Sequence, residues 1–187
     1  DGYSTLREAH EEPGKVLQFC ASHARPIYGR LLETVFRHVD TIHDLQWIRL
    51  LSSLLLGGLS VALYRGLRRL GWPGERSFCL AVFVVLIPSA QIIAGWSIGF
   101  PYTIAALIAL GAFFTAEHAI GLGRVDIKAV CWWCSAAFLM VSSALIYQPS
   151  TLFYAVPLAA AWIGRHNWRS PQKVQWGLLH LAFVIAS

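Results

Sequence analysis

The first 46 residues, DGYSTLREAHEEPGKVLQFCASHARPIYGRLLETVFRHVDTIHDLQ, hold seven of the ten acidic residues: Asp1, Glu8, Glu11, Glu12, Glu33, Asp40 and Asp44. Arg7, Lys15, Arg25, Arg30, Arg37 and four of the seven histidines join them. If the chain performs chemistry, this stretch is where it has the groups. A carboxylate can take a proton from a hydroxyl, and the planar guanidinium groups of Arg25 and Arg30 can bind a phosphate through paired hydrogen bonds. Arg49, one turn inside an apolar run, is placed to meet a lipid head group. Tyr147 and Gln148 close another apolar run, where a ring can stack on a sugar and an amide can read its hydroxyls. Each has a plainer explanation. The arginines suit an interfacial anchor or a salt bridge to Glu33 or Asp44, and Tyr147-Gln148 before Pro149 suits an ordinary helix terminus.

His38, Asp40, His43 and Asp44 are ligand types that zinc or manganese accepts. Their spacing fits no compact helical ligand pair, and Asp40 or Asp44 serves equally as a helix cap before Leu45. His10 and His23 read as surface residues. Cys131-Trp-Trp-Cys134 has the spacing of redox and zinc sites, but it lacks a second ligand pair and lies in an apolar run, where cysteine packs as a small hydrophobe. Cys20 and Cys79 complete the four cysteines and form no disulfide framework with them.

The elements that must position these groups are set by the solvent. With 56% hydrophobic residues, 13% charged residues and a mean hydropathy of +0.54, the chain is far from an ordinary soluble domain. That solvent is a lipid bilayer. The formal charge of +5 does not point to nucleic acid, because the bases lie in short loops rather than on one face of a soluble module. The chain begins on Asp and stops within the apolar run from Val174 to Ser187, so it reads as part of a longer protein.

The expected fold is all-α: a polytopic transmembrane helical bundle (residues 47–187) preceded by a loop with surface helices (residues 1–46). Spans are expected at about 46–64, 78–95, 102–120, 129–147, 151–164 and 174–187, most of them long enough for about 30 Å of hydrocarbon at 1.5 Å per residue. Ser52, Ser53, Gly57, Gly58 and Ser60 leave a thin side on the first span for close helix approach. Pro88 predicts a kink in the second, compatible with a wall around a polar site. Loops 65–77, 121–128 and 165–173 carry nine Lys and Arg between them, whereas loops 96–101 and 148–150 carry none. Basic loops stay cytoplasmic, so residues 1–46 are expected outside the membrane. Within that head, helices are expected from Leu6 to Glu12, up to a break at Pro13-Gly14, and then from Lys15 to Ser22. A stripe of Ile27, Leu31, Leu32, Val35, Phe36 and Val39 predicts a third helix lying flat, with Arg30, Glu33, Arg37 and His38 on its polar side.

This arrangement resembles the GT-C superfamily of polyprenyl-phosphate-sugar-dependent membrane glycosyltransferases. The segments DGYSTLRE, ARPIYGRLL, DLQWIRLLS and YQPS are most similar to the O-antigen serotype-converting glucosyltransferase group. The resemblance implies a bacterial inner-membrane enzyme moving a hexose, with glucose the expected sugar, from a polyprenyl-phosphate carrier to a cell-surface glycan such as O-antigen. It implies Asp1 as the catalytic acid of the first external loop, a general base or an activator assisted by a divalent cation such as Mg2+ or Mn2+. The group often has two adjacent acids at that place. Beside the resemblance, the chemistry of the residues makes Arg25, Arg30 and Arg49 the candidates for the donor phosphate, and Tyr3, Tyr147 and Gln148 those for the substrate. The implied partners are the lipid-linked sugar, the glycan acceptor and membrane lipid.

Two rivals fit the same layout. A lipid-linked glycan polymerase or ligase also uses external arginines, but places its large loop later in the chain. A transporter or flippase predicts paired charges deep in the spans, and by position alone only Gln91 and His180 are deep, with Glu117-His118 near an end.

Overall fold

The computed structural model describes residues 2–123, 126–164 and 170–186. Every regular element among them is helical. The head folds as α1 (Gly2–Glu11), α2 (Lys15–Ser22) and α3 (Pro26–Phe36). Pro13-Gly14 separates the first two, with Gly14 at φ 94°, a left-handed conformation that glycine adopts without a Cβ penalty. Pro26 begins α3 at its first turn, where a missing N–H costs no helical bond.

A 3-10 turn, Ile42–Asp44, leads into α4 (Leu45–Arg69). Thr41 and Asp44 form a reciprocal capping box there: the Thr41 amide and hydroxyl donate to Asp44 Oδ2 at 3.1 and 2.7 Å. Asp44 is therefore a structural residue at the mouth of α4. The second apolar run is broken into α5 (Gly74–Leu86) and α6 (Pro88–Gly95), bent by 55°. Proline drives the preceding residue out of the α region, and Ile87 is extended at φ −60°, ψ 145°. Gln91 Nε2 donates to the Val85 carbonyl at 2.6 Å, satisfying one of the acceptors freed by the break.

Next come α7 (Phe100–Gly121) and α8 (Ile127–Tyr147), the latter capped by Asp126, whose carboxylate accepts from the Ala129 amide at 2.8 Å. At Tyr147 the backbone opens to φ −158°, ψ 105° and the chain reverses through a 3-10 segment, Gln148–Tyr154, into α9 (Ala155–Gly164). The last element is α10 (Ser170–Ala186). Among the described residues, three helical stretches are long and apolar enough to cross a membrane: 42–69, 100–121 and 127–164. The bent α5–α6 pair makes a fourth if it counts as one span. Alone, α9 and α10 have 10 and 17 residues.

The head is packed onto one end of the bundle. Leu6, Ala9, Val16, Tyr28, Leu32 and Phe36 share a single apolar cluster with Leu45, Ile48, Phe100, Ala105 and Ile146. Burying a large apolar side chain is worth about 1.5–3 kcal/mol relative to leaving it in water, so this cluster is a strong reason for the roof to close. At the α2–α3 crossing a Cβ on Gly29 would lie 2.6 Å from Cys20 Cβ, so only glycine permits the approach.

Two sequence expectations about faces change here. Glu33, expected on the polar side of α3, is 3% exposed. The chain covers that side: the Gly14 amide donates to Glu33 Oε1 at 2.8 Å, and Arg37 closes an ion pair on the same oxygen. On α4, Ser60 Oγ reaches the Ala81 carbonyl of α5 at 3.2 Å, but nothing lies within 4 Å of a Cβ placed on Gly57 or Gly58. The close approach expected at those glycines does not occur among the described residues.

Candidate functional site

At the head end, the first turn of α1, the start of α4 and the α6–α7 loop enclose a cavity of about 350 Å³. Its lining includes Tyr3, Leu45, Arg49, Trp96, Ser97 and Ile98. Arg49 is placed there by helix phase. Leu45 and Ile48 are buried in the core, and Arg49 follows on the exposed side of the same turn. Its guanidinium has no hydrogen-bond or ion-pair partner among the described residues. Neither Glu33 nor Asp44, the partners a bland reading offers, engages it. Tyr3 and Trp96 add two exposed aromatic rings to the rim. An uncompensated guanidinium with aromatic neighbours at the outer edge of a membrane bundle suits an anionic, amphiphilic ligand.

Arg25, Tyr147 and Gln148 come together from opposite ends of the sequence. Arg25 Nε donates to Gln148 Oε1 at 3.3 Å, and its Cζ lies 4.8 Å from the centre of the Tyr147 ring. Gln148 Nε2 in turn donates to the Ala24 carbonyl at 3.1 Å. The rings continue inward: Tyr147 meets Tyr102 at 4.2 Å, and Tyr102 stacks on Tyr28 at 5.4 Å. The Tyr28 hydroxyl donates to the Ile98 carbonyl at 3.1 Å and lies 3.2 Å from that of Tyr102. Ile98 also lines the Arg49 cavity, so an aromatic bridge ties the two groups of residues together.

Burial, with the Tyr102 contact second, holds the Tyr28 phenol neutral far above the usual tyrosine range. Burial likewise pushes the Cys20 thiol up, against the pull of nearby Arg25. The partners of Arg25 are all neutral groups.

Arg25 is presented by an unusual helix end. The Ala24 amide bonds to Ala21 O at 3.0 Å and the Arg25 amide to Cys20 O at 2.9 Å, the paired bonds of a Schellman motif. The left-handed position is filled by Ala24 at φ 58°, where glycine is the usual occupant. A left-handed alanine costs about 1–2 kcal/mol, and glycine gives back roughly 0.5–1 kcal/mol through chain entropy. Ala24→Gly is therefore expected to raise stability by about 0.5–1 kcal/mol, read as a higher thermal midpoint in detergent. A lower midpoint would contradict strain at this turn.

Below Tyr102 and Tyr147 lies a crevice of about 140 Å³ walled by Leu56, Leu59, Val84, Ile87 and Ile93. The kink at Pro88 does shape a wall, and the space behind it is mainly apolar rather than the polar site with which such a kink is also compatible.

The remaining residues singled out in the sequence fall elsewhere. Arg30 is exposed and without a partner among the described residues. It lies inside α3, five residues past the N-cap residue Arg25, and does not line the Arg49 cavity. Asp1 lies outside the described residues, directly before Gly2, which lines the Arg49 cavity. His38, in the turn just after α3, donates Nδ1–H to the Thr34 carbonyl of that helix at 2.8 Å. Among the described residues no three His, Cys, Asp or Glu side chains gather as metal ligands.

Sequence reasoning missed three groups. His10 is exposed, as expected of a surface residue, but it also donates Nε2–H to the Phe36 and Val39 carbonyls at 3.1 and 2.9 Å and ties α1 to the end of α3. Glu33 is buried. Glu117 and His180 are paired inside the bundle, His180 Nε2 lying 3.2 Å from Glu117 Oε2. A single charged residue in an apolar run was the only available signal for either partner.

What the fold defines is an all-helical protein with apolar helices long enough to span a membrane, which is a membrane protein in class. No family model matches the chain, and neither a curated protein nor a solved structure matches it.

Proposed function

We propose that the chain is part of an integral membrane glycosyltransferase that moves a hexose from a polyprenyl-phosphate carrier to a cell-surface glycan. The observation that carries this reading is the Arg49 cavity, in which an unpartnered guanidinium from α4 meets Tyr3 from α1 and Trp96 from the α6–α7 loop. In this reading Arg49 holds the carrier phosphate, whose negative charge grows as the sugar leaves. Asp1, beside the cavity-lining Gly2, takes the proton of the acceptor hydroxyl. Arg25, engaged by Tyr147 and Gln148, fixes the ring and amide that face the sugar. The apolar crevice behind α6 takes the first part of the isoprenoid tail. Arg30 has no role there, and of the three arginines expected at the donor phosphate this reading keeps Arg49 alone, with Arg25 moved to a positioning role.

The test supplies membranes containing the protein with a labelled hexosyl polyprenyl phosphate and an acceptor glycan. Label is expected in the glycan, with polyprenyl phosphate released. The reading fails if label never leaves the lipid while the protein is folded and the acceptor is present.

Transport remains as a second reading because one specific observation favours it. The ionisable pair that a transporter calls for is present as Glu117 and His180. In sealed liposomes a transporter would carry the intact labelled lipid to the other leaflet and leave the glycan unlabelled.

A further inference from the structure

At the far end of the bundle from the head, a separate polar network is built into the apolar core. His180 of α10 is fully buried, 0% exposed. Its Nδ1 lies 2.6 Å from the Tyr154 hydroxyl and its Nε2 lies 3.2 Å from Glu117 Oε2. The Trp176 indole donates to the same carboxylate oxygen at 2.8 Å. The Phe113 ring stacks on the imidazole at 5.1 Å. An ionisable group placed among apolar helices is costly and seldom present without a use. Here three of them stand in a row.

The row has one open end. The Glu117 side chain is 21% exposed and lines a cavity of about 410 Å³ with Arg69, Phe114 and His118. Tyr154, at the other end, is 2% exposed and enclosed by Phe113 and Phe183. Water can therefore reach the carboxylate from the Arg69 end, and the chain of hydrogen bonds stops at Tyr154.

Donor and acceptor counting shows what this row can exchange. A neutral imidazole donates from one nitrogen and accepts at the other. The consistent arrangement has Tyr154 O–H donating to Nδ1, and Nε2–H donating to an ionised Glu117. In that arrangement the carboxylate is the proton acceptor of the row, its Oε2 taking both the imidazole and the indole N–H. A proton arriving from cavity water forms an O–H bond on Glu117. Alternatively it comes to rest on Nδ1, with the Tyr154 hydroxyl turning from donor to acceptor. Either way the row takes up one proton and no heavy-atom contact within it is lost.

We propose that Glu117, His180 and Tyr154 form a proton-binding site within the bundle, loaded from the cavity at the Arg69 end. A proton fits better than a metal cation because Glu117 Oε2 already accepts two N–H groups and the imidazole uses both nitrogens. Among the described residues, the titratable and charged groups facing the site from neighbouring elements are Arg69 of α4, His118 of α7 and Tyr154 of the 3-10 segment. The described parts of α8 and α9 meet it with Trp133, Met140, Leu158 and Ala161, none of which titrates. Because Trp176, His180 and Phe183 are the buried face of α10, the charge on Glu117 bears directly on how that helix seats. This inference does not rest on the head-site reading.

The test uses the whole chain in lipid nanodiscs, with infrared difference spectra recorded as pH is lowered and the His180 nitrogens followed by NMR. A protonated-carboxyl band is expected to appear on acidification, to be absent in Glu117→Gln, and to shift its midpoint in Tyr154→Phe. The His180 nitrogens are expected to move over the same pH interval, and exchanging sodium for a bulky organic cation should leave that interval in place. The proposal is overturned if the band is missing in wild type, survives Glu117→Gln, or keeps its midpoint in Tyr154→Phe. Should Glu117→Gln fail to fold, the wild-type nitrogens decide: resonances that ignore pH overturn the site.

Discussion

Replacing Arg49 with glutamine is expected to lower transfer from the lipid-linked donor by roughly a hundredfold, the scale on which a single group that stabilises developing charge is usually felt. The fold should hardly notice. Arg49 is exposed and makes no side-chain bond among the described residues, whereas its neighbours Leu45 and Ile48 carry the packing of that turn. The carrier phosphate is charged before the reaction and more so as the sugar departs, so both binding and turnover should fall. Arg49→Lys keeps a charge but loses the planar fork and should recover only part of the rate. Arg30→Gln is the matched control, since Arg30 is just as exposed and unpartnered but lies outside the cavity. Equal rates for Arg49→Gln and Arg30→Gln would remove Arg49 from the site. Unchanged circular dichroism across the three variants is needed for the comparison.

Much of this arrangement was readable from local signals and some of it was not. The α2 boundaries at Lys15 and Ser22 follow from Pro13-Gly14 and from the run of apolar spacing, both of which act within a few residues. Pro88 announced a break for the same reason, since the clash with Ile87 is local. Sequence alone did not say how far the broken halves would bend, because that depends on what packs behind them. Glu33 misled because a charge opposite an apolar stripe is usually solvated. Here the loop at Gly14 folds back over it, and no pattern on α3 records that. The two side-chain meetings that matter most are long-range: Arg25 with Gln148, 123 residues apart, and Glu117 with His180, 63 apart. Each partner was visible singly, but nothing in their spacing could pair them. Gly57 and Gly58 show the opposite failure, a local motif that the described helices leave unused.

Gly99→Ala should produce the largest structural effect, a loss of about 1–3 kcal/mol, the usual range for overpacking a tight site, with the upper part expected because the obstacles are backbone. A Cβ at this position would fall on the Ile93 carbonyl oxygen, with the Ile93 carbonyl carbon at 3.0 Å and the Trp96 oxygen at 3.1 Å. No side-chain rotation relieves such a contact, so the end of α6 or the start of α7 must move. Backbone strain is not the reason, since Gly99 sits at an ordinary φ of −85°; the limit is space. Gly2→Ala makes the useful contrast. Its Cβ would meet Ser97 Oγ, the end of a side chain that can turn aside, so that variant should stay close to wild type. The displaced loop in Gly99→Ala carries Trp96, Ser97 and Ile98, which line the Arg49 cavity, and Ile98 is held by the Tyr28 hydroxyl. Thermal midpoint and transfer rate should therefore fall together in Gly99→Ala, whereas in Arg49→Gln the rate falls alone. If Gly99→Ala keeps its midpoint, the α6–α7 turn is not the rigid wall that its packing implies. If it loses stability but keeps full transfer, the cavity beside that turn is not where the donor binds.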